Sequence, residues 1–173
     1  MKNVNLANSI TALRILGTFL MMFVDPFTSQ FFVIYTTAGV SDVLDGFVAR
    51  ITNTVSNFGA RLDSASDLFF YFVMAMKCMP AMIEILPYQI WYATAAVVLI
   101  RIISYMLVAI KFHRFSSLHT KLNKITGFAI FLIPYMLKRR YGVAYCITAC
   151  SISAISSLHE MVVHMLSSEY KGK

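Results

Sequence analysis

Between positions 9 and 166 the chain is a succession of long apolar runs, and this limits its possible folds more than any single residue does. The runs lie at about 9–24, 30–49, 59–82, 88–110, 122–137 and 143–166. Within each run the apolar residues are continuous rather than alternating with polar ones, which favours helices over barrel strands. A helix of about 20 residues crosses the hydrocarbon core, so six of them need roughly 120 residues. A chain of 173 residues then has little left beyond connections and tails. With 58% hydrophobic and 13% charged residues it does not have the composition of an ordinary soluble domain. The expected fold is all-α: an integral membrane protein with six transmembrane helices, forming a single domain over 1–173.

Turn chemistry supports these divisions. Asp25-Pro26 closes the first run, and the polar stretch 52–58 separates the second from the third. No internal repeat or low-complexity tract interrupts the series. Residues 1–8 are short and nearly neutral, and no cleavage-site pattern follows, so the first run is expected to be a retained span rather than a leader. Cys78, Cys146 and Cys150 lack metal-ligand spacing, and the last two read as small apolar residues on a helix face.

The formal net charge of +7 is spread through the connections, not gathered in a nucleic-acid-binding stripe, and no nucleic-acid partner is expected. With the N-terminus inside, ten basic residues, among them Arg14, Arg50, Arg61, Lys111 and Arg114, fall on the inner side. Four, Lys77 and Lys138–Arg140, fall outside, and Arg101 sits within a run. Lysine and arginine favour cytoplasmic connections, so the N-terminus and the stretch around position 45 are expected to face the cytoplasm. A prokaryotic cell membrane is the expected location.

Against this apolar background the acids are concentrated. Of eight Asp and Glu residues, Asp42, Asp45, Asp63 and Asp67 fall within 26 positions. Asp42 and Asp45 are three apart and Asp63 and Asp67 four apart, so each pair shares one face of its helix. The two helices are consecutive and closely connected, and as antiparallel neighbours they would bring all four carboxylates into one small volume. A carboxylate at mid-membrane costs about 2.5–3.5 kcal/mol on insertion scales, and like charges repel. Hard cations offset both terms, since Mg²⁺ takes carboxylates together with waters or phosphates. Two such ions a few ångströms apart suit displacement at phosphorus. Gly46, Ala49 and Gly59 clear space for a phosphate ligand, or equally for tight helix packing. Arg50 offers a fork for a phosphate, or an anchor at the inner surface.

The pattern Asp-x-x-Asp-Gly-x-x-Ala-Arg, eight residues, then Gly-x-x-x-Asp-x-x-x-Asp is filled by Asp42, Asp45, Gly46, Ala49, Arg50, Gly59, Asp63 and Asp67. It resembles the signature of the CDP-alcohol phosphatidyltransferases. Asn8-Ser-Ile-Thr-Ala-Leu-Arg14 is similar to the Asn-x-x-Thr-x-x-Arg stretch that opens the first helix in many members. The resemblance implies a homodimer of six-helix subunits that transfers a phosphatidyl group from CDP-diacylglycerol to a small polar alcohol and releases CMP. It implies two divalent cations, Mg²⁺ or Mn²⁺, on Asp42, Asp45, Asp63 and Asp67, with Asp67 also the catalytic base. The CDP site would draw on Asn8, Thr11, Asp45, Gly46, Ala49, Arg50 and Gly59, with Arg14 at its edge.

For the acceptor, a phosphorylated alcohol needs cations, and Arg101, Arg114, His119, Lys121 and Lys124 are the residues that could supply them. Glycerol 3-phosphate is the first expectation, as in the phosphatidylglycerophosphate synthase type; inositol phosphate, inositol and serine are the alternatives. The chain departs from glycerol-phosphate members in having Ile102 after Arg101 where they often have Glu. A divalent-cation transporter would explain the aspartates but not the spacing of the small residues and Arg50. A redox di-metal bundle would want Glu-x-x-His pairs, which the sequence lacks.

Overall fold

A computed structural model of the chain describes residues 6–52, 56–112 and 121–166. The described residues form helices joined by turns: α1 (Leu6–Met21), α2 (Ser29–Ile51), α3 (Asn57–Ile85), α4 (Tyr88–Phe112), α5 (Lys121–Phe131), α6 (Ile133–Met136) and α7 (Gly142–Leu166). The protein is all-α, as expected, and all six apolar runs are helical. Four helices, α2, α3, α4 and α7, contain stretches long and apolar enough to cross a membrane. The expected count of six spans goes beyond this, because α1 has 16 residues and α5 has 11. Large side chains left exposed, such as Leu13, Val33, Leu68, Ile83 and Ile110, form the apolar exterior of a membrane protein.

Two compact units divide the chain, residues 1–80 and 81–173. The first contains α1, α2 and the greater part of α3. At its core an aromatic column forms where Phe31 stacks on Tyr35 at 5.7 Å and Tyr35 on Phe70 at 5.0 Å. Thr28 starts α2 by accepting from the Phe31 N–H at 3.2 Å, and Ser56 starts α3 by accepting from Gly59 N–H at 3.0 Å. Between α1 and α2, Phe27 has φ 66°, a left-handed backbone that a bulky residue adopts at a cost of about 1–2 kcal/mol. Its ring lies 6.2 Å from that of Phe31. Lys77 Nζ donates to the Val24 carbonyl at 2.9 Å, tying α3 to the turn that follows α1.

In the second unit α4 and α5 both pack on α7. Pro134 interrupts the fifth run, because proline supplies no N–H and crowds the preceding turn, and α6 begins there as a separate short helix. Gly142 opens α7 so close to the carbonyl oxygens of Met136 and Leu137 that a Cβ there would collide with backbone. All three cysteines are free; Cys146 is buried, as its apolar reading expected, Cys150 is partly exposed, and Cys78 is buried as well.

Candidate active site

Thr11, Arg14, Thr18 and Met21 lie three or four residues apart along α1 and are all buried, so they form its inward face. Arg14 is only 2% exposed. A lone guanidinium in such surroundings needs carboxylates, and α2 and α3 supply four. Arg14 Nη1 donates to Asp42 Oδ1, in a very close contact, and to Asp67 Oδ1 at 2.8 Å. Its Nη2 donates to Asp45 Oδ2 at 3.0 Å and to Asp63 Oδ1 at 2.5 Å. Asp42 and Asp45 arrive from one face of α2, Asp63 and Asp67 from one face of α3. Arg14 of α1 is thus the point at which the carboxylates of α2 and α3 meet.

The four carboxylates are not equivalent. The Asp45 side chain is 5% exposed, while those of Asp42, Asp63 and Asp67 are 43–46% exposed. Thr11 Oγ1 donates to Asp45 Oδ2 at 2.7 Å, so that oxygen is held by both α1 residues. The site therefore has a closed side at Asp45 and an open side formed by the other three. On the open side Asp42, Asp63 and Asp67 each offer an oxygen, all within 4.8 Å of one another, which is a donor set of hard oxygens suited to a divalent cation. When all four acids are ionised, one guanidinium leaves them three negative charges in excess. A cation of charge two or more is the economical way to balance that excess. By donor type and by charge the residues fit divalent metal.

Asn8, in the first turn of α1, meets the start of α3: a Cβ on Gly59 would lie 3.0 Å from Asn8 Oδ1 and 3.1 Å from Ser56 Oγ. A side chain at 59 would press on both of these polar side chains, which would have to give way by a few tenths of an ångström. Gly46 lies one residue beyond Asp45 on α2, with Ala49 and Arg50 in the same helix; the side chains of Ala49 and Arg50 are outside the described set.

The residues expected at an acceptor belong to the second unit. Arg101, on α4, donates to Asn123 Oδ1 at 2.7 Å and lies 3.7 Å from the buried carboxylate of Glu160 on α7. Ser156 Oγ donates to the same Asn123 oxygen at 2.6 Å, and Asn123 Nδ2 to Glu160 at 3.3 Å. Arg101 is thus part of a polar cluster joining α4, α5 and α7. Lys124 is exposed on α5; Arg114, His119 and the Lys121 side chain lie outside the described residues. His164, near the end of α7, is buried and 2.8 Å from Ser104 Oγ.

Sequence reasoning placed Arg14 at the edge of the site, whereas the structure puts it at the centre of the aspartates. The signal was present in α1, where the polar residues at 11, 14 and 18 recur at helical spacing and so share one face. Glu160 was missed. As an acid in the last apolar run it called for a cation in another run, and Arg101 is one.

The sequence profile of the CDP-alcohol phosphatidyltransferase family matches residues 4–164. The CDP-diacylglycerol–serine O-phosphatidyltransferase of Methanocaldococcus jannaschii is 40% identical over 67 residues, which is 39% of this chain and 31% of that protein. The chain thus aligns with about a third of the length of this curated relative. No solved structure matches.

Proposed function

The chain belongs to the CDP-alcohol phosphatidyltransferase family, and from that premise we propose that it transfers a phosphatidyl group from CDP-diacylglycerol to a small polar alcohol and releases CMP. The observation that carries this reading is the convergence of Asp42, Asp63 and Asp67 on the open side of the site, their oxygens within 4.8 Å of one another. Two divalent cations, Mg²⁺ or Mn²⁺, would be held by these three with Asp45, and when bound would neutralise the pyrophosphate and stabilise entering and leaving oxygens. Thr11 fixes the Asp45 carboxylate from behind. Asp67 accepts the proton of the acceptor hydroxyl as its oxygen bonds to the phosphatidyl phosphorus and the bond from that phosphorus to the CMP oxygen breaks. Gly46, Ala49 and Gly59 leave room for the nucleotide, Arg50 pairs with a phosphate, and Asn8 beside Gly59 borders the same end of the helices.

Glycerol 3-phosphate is supported as acceptor by the basic residues between 111 and 124. Serine is the second reading, favoured by two observations. Arg101 is already engaged by Glu160 and Asn123, and the Methanocaldococcus jannaschii relative is named for serine. The whole chain would act as one catalytic domain, as a homodimer in a prokaryotic cell membrane, with the active site and N-terminus at the cytoplasmic face. The test is to incubate detergent-purified protein with CDP-diacylglycerol, Mg²⁺ or Mn²⁺ and a panel of glycerol 3-phosphate, inositol phosphate, inositol and serine, and to measure CMP. Acceptor-dependent CMP release is expected. No CMP from any acceptor overturns the reading and leaves the cation-transport alternative.

A further inference from the structure

We infer that Arg14 is the built-in counter-cation of the aspartate site: it holds α2 and α3 in register when no metal is bound and competes with divalent cations for the same carboxylates. The inference rests on the metal-dependent reading above and concerns how this chain's own residues receive the metal. Its basis is a division of labour within one side chain. Each terminal nitrogen of Arg14 takes one carboxylate from α2 and one from α3: Nη1 takes Asp42 and Asp67, Nη2 takes Asp45 and Asp63. One planar fork therefore links the two helices twice, as only arginine among the side chains can.

The oxygens involved are the ones a metal would need. Arg14 contacts carboxylates from all three members of the open-side donor set, so a cation that takes Asp42, Asp63 and Asp67 must share them with the guanidinium or displace it. Asp45 differs, because Thr11 holds it on the closed side and it lies outside that trio. Thr11 and Arg14 both hold its Oδ2, so Asp45 can keep Arg14 on that oxygen while its other oxygen faces a cation. Arg14 Nε is buried without a hydrogen-bond partner among the described residues, so the guanidinium is held from its carboxylate end alone. A positive charge at contact distance opposes a second cation on the same carboxylates, and burial of Arg14 itself limits how far solvent screens that repulsion. Arg14 should therefore weaken divalent binding while stabilising the metal-free protein.

The test compares wild type, Arg14→Lys and Arg14→Gln in detergent, by Mn²⁺ titration followed by electron paramagnetic resonance and by thermal melting with and without Mn²⁺. Arg14→Gln should bind Mn²⁺ at least tenfold more tightly than wild type, with Arg14→Lys between them. Without metal the melting midpoints should fall in the order wild type, Lys, Gln, and the gap should close at saturating Mn²⁺. If Arg14→Gln is unfolded without metal, recovery of a cooperative melt on adding Mn²⁺ supports the same conclusion. Mn²⁺ affinity unchanged or weaker in both variants, with wild type binding normally, overturns the role of Arg14 and leaves the proposed function standing. Failure of wild type to bind Mn²⁺ at all overturns both.

Discussion

Thr11 makes Asp45 different from the other three aspartates, and that difference can be measured. Thr11→Val keeps the side-chain shape and removes the donor to Asp45 Oδ2. A hydrogen bond to a charged group contributes about 1.5–3 kcal/mol, so the melting midpoint should fall by an equivalent amount. CMP release should fall as well, since Asp45 would be positioned by Arg14 alone. Asp67→Asn tests the proposed base. The amide preserves size and one acceptor oxygen, so the protein should insert and melt near the wild-type temperature, while turnover drops by about 10²–10⁴. Near-normal CMP release from Asp67→Asn would remove Asp67 from that role. At this scale the grouping of the four aspartates was readable in advance, because helical spacing dictates which residues share a face. What spacing could not give was the rank among the acids, which depends on a contact across 34 residues between Thr11 and Asp45.

Helix positions followed from apolar run length, whereas helix ends and breaks depended on particular residues. The fifth run reads as continuous in hydropathy, yet Pro134 divides it into α5 and α6. The 16 residues of α1 extend about 24 Å at 1.5 Å per residue, short of a hydrocarbon core of about 30 Å. Gly142 shows no signal in the sequence beyond its place before an apolar run, although backbone oxygens crowd it on the side where a Cβ would project. Gly142→Ala should lower stability by about 1–3 kcal/mol, the range for forcing extra carbon into a packed site, as read by thermal melting.

The Arg101–Glu160 pair carries a separate prediction for α4 and α7. Glu160→Ala leaves Arg101 without its carboxylate and should cost about 3–5 kcal/mol, while an apolar replacement of both should recover most of that loss. A different outcome would reassign Arg101. If Arg101→Met leaves the melting midpoint unchanged but raises KM for a phosphorylated acceptor and not for serine, the residue contacts the acceptor's phosphate.

For the molecule as a whole, the controlling fact is that a chain of 58% hydrophobic residues places half of its eight acids together. Arg14 balances one of those charges, and the proposed function calls on cations from solution to balance the excess remaining on Asp42, Asp45, Asp63 and Asp67. Chelation should therefore abolish CMP release, and Mg²⁺ or Mn²⁺ should restore it. The most direct test is to grow crystals with Mn²⁺ and locate the metal by its anomalous scattering. Peaks between α2 and α3, bounded by Asp42, Asp45, Asp63 and Asp67, are the predicted result. Metal bound elsewhere in the protein, or a protein that releases CMP with no metal at these four residues, would contradict it.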